Sequence, residues 1–347
     1  MDIPGNFVVS DSDWRILRKL EDFVPEKVFD MHAHLYDTAH LPTLARPGSV
    51  FAEGDAVADR AYYTRFQCQL YPGLKRLRLN VVSVPDSLYT ERANGHRARC
   101  NEFLIKHLEQ NPNDVGEAFV LPEDTDGDIA SLLGHPNIRG FKCYHFAAAK
   151  KPTWQAEIDE FLPESAWRAA NEGNLCITLH MAKDRALADD GNIENIRDKV
   201  KKYPSAKLIL AHAARGFAPW TALEGLKRLA QFDNVFFDVS AVCEPTAIFA
   251  VIKAAGADHV LWGSDFPVSM LRGKCVSIAD SFLWLYLPML MRLEPDTAAQ
   301  ANLSQANLVG VENLNALAQA CDMLDLSRVE VENIFYHNAM GMFGLAD

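Results

Sequence analysis

Eight short runs of apolar and β-branched residues recur along the chain, at 27–31, 79–84, 117–121, 138–144, 174–180, 207–212, 235–240 and 259–265. Between them lie segments with helical spacing or capping residues. The clearest runs from Pro245 to Ala255, where Ile248, Val251, Ile252 and Ala255 follow the i, i+3, i+4, i+7 pattern, Pro245 suits the first turn and Gly256 the C-cap. Strands that alternate with helices imply a parallel sheet, because parallel neighbours need a crossover of that length. Near-continuous apolar strands such as Cys176-Ile177-Thr178-Leu179 fit a sheet buried on both faces. Eight such units in about 240 residues predict an α/β fold, a (β/α)8 TIM barrel. The competing open, doubly wound sheet lacks a Gly-x-Gly-x-x-Gly after the first run.

In such a barrel, functional residues sit at the carboxyl ends of the strands, on one rim. The first run ends in Phe29-Asp30-Met31-His32-Ala33-His34. Alternate side chains of a strand share a face, so the two imidazoles stand roughly 6–7 Å apart along it and can reach one divalent cation. His180 ends the fifth run, His212 the sixth and Asp265 the eighth. Taken singly, each reads equally well as a satisfied core residue or a helix cap. In chain order on a barrel, all five converge on one mouth, which points to a metal centre. Asp30 suits either an orienting partner of a ligand histidine or a turn cap.

With 347 residues, 49% hydrophobic and 23% charged, the chain can bury a large core. We read residues 1–347 as a single domain with a barrel core of about 27–275. Residues 35–78 form an insertion after strand 1 that covers the site, 1–26 an N-terminal strap, 182–191 a mobile rim loop, and 276–347 extra C-terminal helices. The formal net charge of −12 argues against a nucleic-acid partner. The short patch Lys75, Arg76 and Arg78 reads as a solvated face. Seven cysteines without a Cys-x-x-Cys pair, and an N-terminus Met-Asp-Ile-Pro-Gly-Asn without the order of a secretory signal, predict reduced thiols in a cytoplasmic protein. The longest apolar stretch, Phe282–Met291, is too short for a bilayer and contains Pro288, so it reads as a buried helix and no membrane partner is expected. A homo-oligomer stays open.

The ordered pieces Phe-Asp-Met-His-Ala-His (29–34), Ile-Arg-Gly-Phe-Lys (138–142), Ile-Thr-Leu-His (177–180), Tyr-Pro-Ser-Ala-Lys-Leu-Ile-Leu-Ala-His (203–212), Val-Leu-Trp-Gly-Ser-Asp-Phe-Pro (260–267) and Asn-Ala-Met-Gly-Met-Phe-Gly-Leu (338–345) span nearly the whole chain. Together they resemble the amidohydrolase superfamily, in its branch of amidohydrolase-related hydrolases and decarboxylases. The resemblance implies that His32, His34, His180 and Asp265 bind one divalent metal, Zn²⁺ first and Mn²⁺ as the alternative, with His212 beside it to polarise or protonate the substrate. It implies that Asp265 also moves the proton. Where relatives usually carry glycines after the strand-6 histidine, this chain reads Ala213-Ala214-Arg215-Gly216. Lys142 has three readings: an ammonium that holds a substrate carboxylate, a carboxylated lysine bridging two ions as in the two-metal branch, or a snorkelling structural lysine. Tyr144 and His145 would line the pocket. Arg215 is placed to grip a carboxylate through two parallel hydrogen bonds, or to form a surface ion pair.

The expected activity is metal-dependent hydrolysis of a small carboxylated lactone or amide. Decarboxylation of an unsaturated or aromatic acid is the alternative, and a non-catalytic metal-binding barrel the reading from another class.

Overall fold

The computed structural model describes residues 7–46, 49–279, 281–286 and 306–346. Eight parallel strands lie side by side in chain order: β1 Lys27–Ala33, β2 Arg76–Val82, β3 Val115–Phe119, β4 Ile138–Cys143, β5 Cys176–Leu179, β6 Lys207–Leu210, β7 Val235–Asp238 and β8 Val260–Leu261. The edges meet through backbone bonds: the Met31 N–H donates to Trp262 O (3.0 Å), the Asp265 N–H to His32 O (2.7 Å) and the His34 N–H to Phe266 O (2.8 Å). Helices cover the outside, as the buried, apolar strands require. The expected (β/α)8 barrel is what the chain forms. The helix Pro245–Ala255 has the expected bounds, and Gly256 caps it at φ +86°.

The insertion after β1 forms a two-residue antiparallel pair, Tyr36–Asp37 with Val57–Ala58, and a helix Arg60–Phe66. That helix packs Tyr62 and Tyr63 against Phe266, on the loop after β8 (ring centroids 6.0 and 5.1 Å). The insertion therefore leans on the rim that carries Asp265. β2 begins at Arg76, earlier than the run of apolar residues suggests, because Lys75 and Arg76 N–H groups already bond Glu26 O at the start of β1. The turn formers Pro47 and Gly48 lie outside the described residues.

The tail corrects one expectation. Residues from 276 do not enter a helix: Gly273–Ile278 (β9) and Ser281–Tyr286 (β10) pair as an antiparallel hairpin. The Phe-Leu-Trp-Leu-Tyr run is apolar at every position and so carries no helical period, while its aromatic residues favour a pleated surface. The rest of the apolar stretch, 287–291, lies outside the described residues. Helices do follow, at Val309–Met323, Arg328–Glu332 and Asn338–Phe343. Tyr336, Met340 and Met342 there pack against Phe29, Met31, Ile209 and Leu261 of the barrel strands. Among the described residues, no helix is long and apolar enough to cross a membrane.

Candidate metal centre

The register of β1 against β2 shifts between Asp30 and Ala33, an irregularity of the kind that re-aims side chains at a barrel rim. It turns both histidines of the pair toward the mouth, where their rings lie 4.9 Å apart. Each of the four candidate histidines is then fixed through Nδ1. That of His32 meets Asp238 Oδ2 at 2.5 Å, that of His34 Val82 O at 2.8 Å, that of His180 Met181 O at 3.2 Å and that of His212 Ser240 O at 3.0 Å. An acceptor opposite Nδ1 places a proton there, so that in the neutral form of each ring Nε2 is the atom left to donate electrons.

Asp265 comes to meet them from the loop after β8. Its Oδ1 is 3.4 Å from His34 Nε2 and 3.9 Å from His32 Nε2. Lone pairs therefore face lone pairs in a site where His32, His34, His212 and Asp265 are each at least nine-tenths buried. Such an arrangement is repulsive until a proton or cation sits between the groups, and two imidazole nitrogens with a carboxylate oxygen suit a divalent metal. The ligand atoms of His32, His34 and Asp265 all lie within 4.8 Å of one another. His180 stands one step back, 5.4 Å from His212 by ring centroids and outside that group. A second set, His32, His212 and Asp238, is equally close. Its atoms are already spent on hydrogen bonds, because Ser240 Oγ lies 3.0 Å from both His212 Nδ1 and Asp238 Oδ2. That set reads as scaffolding for two imidazoles.

Burial, with the Lys142 cation nearby, holds the His32 pKa well below the usual histidine value. Burial, with His212, Lys142 and Arg215, does the same for His180. Both rings are neutral at pH 7, the form that binds metal. Burial would raise the Asp265 pKa, but the facing imidazoles of His212, His34 and His32 outweigh it and keep the carboxyl below its ordinary value. Asp265 also sits at φ +55°, a left-handed backbone that costs a non-glycine residue of order 1–3 kcal/mol and is common at functional sites.

Lys142, 1% exposed on β4, places its Nζ 3.5 Å from His32 Nε2. Burial pulls its pKa down, against the opposing charge of Glu117 on β3. Glu117 Oε1 accepts from Asn80 Nδ2 (2.5 Å) and Thr178 Oγ1 (2.8 Å), while Oε2 has no hydrogen-bond partner. Tyr144 lies against His180 (ring centroids 4.3 Å), and His145 follows with its Nδ1 3.1 Å from Thr153 Oγ1. Burial and the Arg215 cation lower the His145 pKa to about 4. The half-buried Arg215 donates from Nη1 to Lys183 O at 3.1 Å, and among the described residues no carboxylate lies within ion-pairing distance of it.

Asp30 does not orient an imidazole. Its Oδ1 accepts from the His32 N–H (3.1 Å) and the Ser264 N–H (2.8 Å), and its Oδ2 from Tyr63 Oη (2.5 Å), so it pins the backbones that carry His32 and Asp265. Burial raises its pKa to about 6. The orienting carboxylate is Asp238 on β7. It ends the run Val235-Phe236-Phe237-Asp238 with the same polar-after-apolar signature as the other rim residues, which is the signal that would have found it. Asp238→Asn is expected to weaken metal binding roughly 10–100-fold, the usual cost of removing a carboxylate behind a ligand imidazole. Chelator competition measures it, with the circular dichroism spectrum unchanged.

After β6 the four residues His212, Ala213, Ala214 and Arg215 all have φ between +51° and +59°. Glycine alone adopts such φ without strain, so this left-handed turn is strained at Ala213 and Ala214. Ala213→Gly and Ala214→Gly are each expected to raise stability by about 0.5–1 kcal/mol, the relief of strain exceeding the added chain entropy. A higher urea midpoint at unchanged slope would show it.

No curated protein matches the sequence. Among solved structures, the chain is similar to an amidohydrolase from Burkholderia multivorans with bound zinc (13% identity, TM-score 0.58, 92% of this chain and 100% of that one). It is similar also to 2,6-dihydroxybenzoate decarboxylase from Rhizobium (12%, TM-score 0.57, 92% and 98%). A third is a protein described as a 2-pyrone-4,6-dicarboxylic acid hydrolase from Pseudomonas putida (14%, TM-score 0.55, 92% and 98%). At such identities the likeness is one of fold. A sequence model of the amidohydrolase family matches residues 29–345, from the strand that carries His32 and His34 to the last helix, and the chain belongs to that family.

Proposed function

We propose that this chain is a cytoplasmic, metal-dependent hydrolase of a small carboxylated lactone or amide, with His32, His34, His180 and Asp265 holding one divalent cation. The observation that carries the reading is the pair of Nε2 atoms, on His32 and His34, turned on the Asp265 carboxylate. A cation there supplies Lewis acidity, lowering the pKa of water from about 15.7 toward roughly 7 and polarising a carbonyl. The protein does the rest. Asp265, kept ionised by its neighbours, takes the proton of the attacking water and passes it to the leaving oxygen or nitrogen. His212, its Nδ1–H held by Ser240, enters the step as the imidazolium and donates from Nε2 to the carbonyl oxygen, stabilising the charge that develops there. The Arg215 guanidinium, without a carboxylate partner among the described residues, grips the substrate carboxylate. Lys142 adds a second positive charge toward it, with Tyr144 and His145 lining the approach. Two ions per chain would instead assign Lys142 the bridging carbamate.

Decarboxylation of an unsaturated or aromatic acid uses the same donor set, and the fold is shared with 2,6-dihydroxybenzoate decarboxylase. A panel of carboxylated lactones, amides and unsaturated or aromatic acids, read by pH indicator and a coupled CO₂ assay, separates the two. Hydrolysis should release acid or amine without CO₂, and Arg215→Ala should mainly raise KM, because the anchor holds ground and transition states alike. Metal-dependent CO₂ release would overturn hydrolysis. A metal-loaded protein inert on the whole panel would favour the non-catalytic barrel.

A further inference from the structure

Arg215 is the last of the four left-handed residues after β6, and its guanidinium donates from Nη1 to Lys183 O at 3.1 Å. One bond at one nitrogen leaves the plane of the fork free to turn. What faces that plane is Phe282, on the β10 strand of the hairpin: Arg215 Cζ lies 5.3 Å over the ring centroid. A cation at this distance from an aromatic face is drawn to the ring quadrupole, and the flat guanidinium can also stack on it. Burial pulls the Arg215 pKa down, against Tyr144 and Asp184, so part of its hydration is already lost. A contact with a ring face counts for more there than on open surface. Phe282 is itself held. Its ring packs on the buried Phe217, with centroids 4.8 Å apart, and Trp284 packs on Phe217 as well, at 5.4 Å. Phe217 in turn lies nearly parallel to the His212 ring, at 5.6 Å and 22°.

Two packed phenyl rings therefore link the imidazole that acts on the carbonyl to the cation that grips the carboxylate. We infer that Phe282 is a positioning residue for the anchor: its ring face fixes the plane and reach of the Arg215 guanidinium and, through Phe217, registers that cation against His212. The inference rests on the reading of Arg215 as the carboxylate anchor. The span between the reacting carbonyl and the gripped carboxylate is then set by packed rings, not by a flexible arm. A leucine at position 282 would fill the space on Phe217 without offering a face to hold the cation.

The test uses the full-length, zinc-loaded protein, titrated calorimetrically with glutarate and with its half-amide, which has the same shape and one negative charge fewer. Wild type should bind glutarate roughly tenfold more tightly, the size of one charge-assisted contact. Arg215→Ala should erase that advantage. Replacing Phe282 by mono-, di- and trifluorinated phenylalanine keeps the shape of the ring while draining the negative charge from its face. The advantage should shrink step by step along that series, by roughly 3–10-fold in all, the size of one cation–π contact. Phe282→Leu should match the trifluorinated ring, and Phe282→Tyr should keep the full advantage. Affinity for the half-amide should stay level throughout, which also reports that the site is intact. An advantage lost in Arg215→Ala but untouched by fluorination overturns the role of Phe282 and leaves the anchor standing. A fluorinated series that weakens both probes equally also overturns it, since a change in packing alone would do that. An advantage that survives Arg215→Ala, or a wild type that binds both probes alike or neither, overturns the anchor and Phe282 together.

Discussion

Stripping the protein of metal is expected to reduce turnover by about 10³-fold or more, because a catalytic cation contributes several kcal/mol of charge stabilisation at the reacting centre. Protein purified without chelators should carry about one divalent ion per chain by elemental analysis. His32→Ala and His34→Ala should each lose both the ion and the activity, and adding back Zn²⁺ or Mn²⁺ should restore only the wild type. His32 is the more informative of the two, since its truncation also leaves the buried Asp238 without its 2.5 Å partner. A metal-free protein that keeps full activity would remove the central proposal.

The second large effect belongs to Asp265. Asp265→Asn is expected to lower kcat by roughly 10²–10⁴-fold, the range for a lost general acid or base, while the fold survives. The substitution keeps the side-chain volume and the Asp265 N–H bond to His32 O. Metal content decides what the loss means. Retained metal with low kcat assigns proton transfer, whereas metal lost together with kcat assigns Asp265 a ligand role alone. His212→Asn should cost a similar factor with metal bound, and a near-wild-type rate in that variant would dismiss its part in the chemistry.

The barrel was legible because its signals are local. Apolar runs and capping residues depend on neighbours a few positions away, and each of the eight runs overlaps a strand. The weakest is the last, where 259–265 yields only Val260–Leu261 because the Trp262 N–H leaves the sheet to bond Ile334 O. The pairing of His32 with His34 followed from their alternate spacing on one strand, and their meeting with His212 and Asp265 from the barrel geometry. What sequence left out was non-local or without period. Asp238 reaches His32 across 206 positions, so its place after an apolar run marks it as a rim residue without marking the bond. Glu117 is one acid inside an apolar strand, and its neighbour Lys142 lies on the next. The hairpin stands where helices are expected from 276 on, because the unbroken apolar run 282–286 offers no period to choose by.

The seam between β8 and β1 has a further consequence. His32 and His34 belong to the first strand and Asp265 to the turn after the last, so the candidate ligands lie close together only when the circle of strands is complete. An ion held across that seam ties the two ends of the barrel to each other. Closure and loading then become one equilibrium: an open-edged chain has no site to fill, and each occupied site stabilises the closed ring by about 2.7 kcal/mol when free metal stands at a hundred times its dissociation constant. Scarcity of the ion would therefore be felt as a loosened barrel, exposed to proteases at its own first and last strands, as well as in lost turnover.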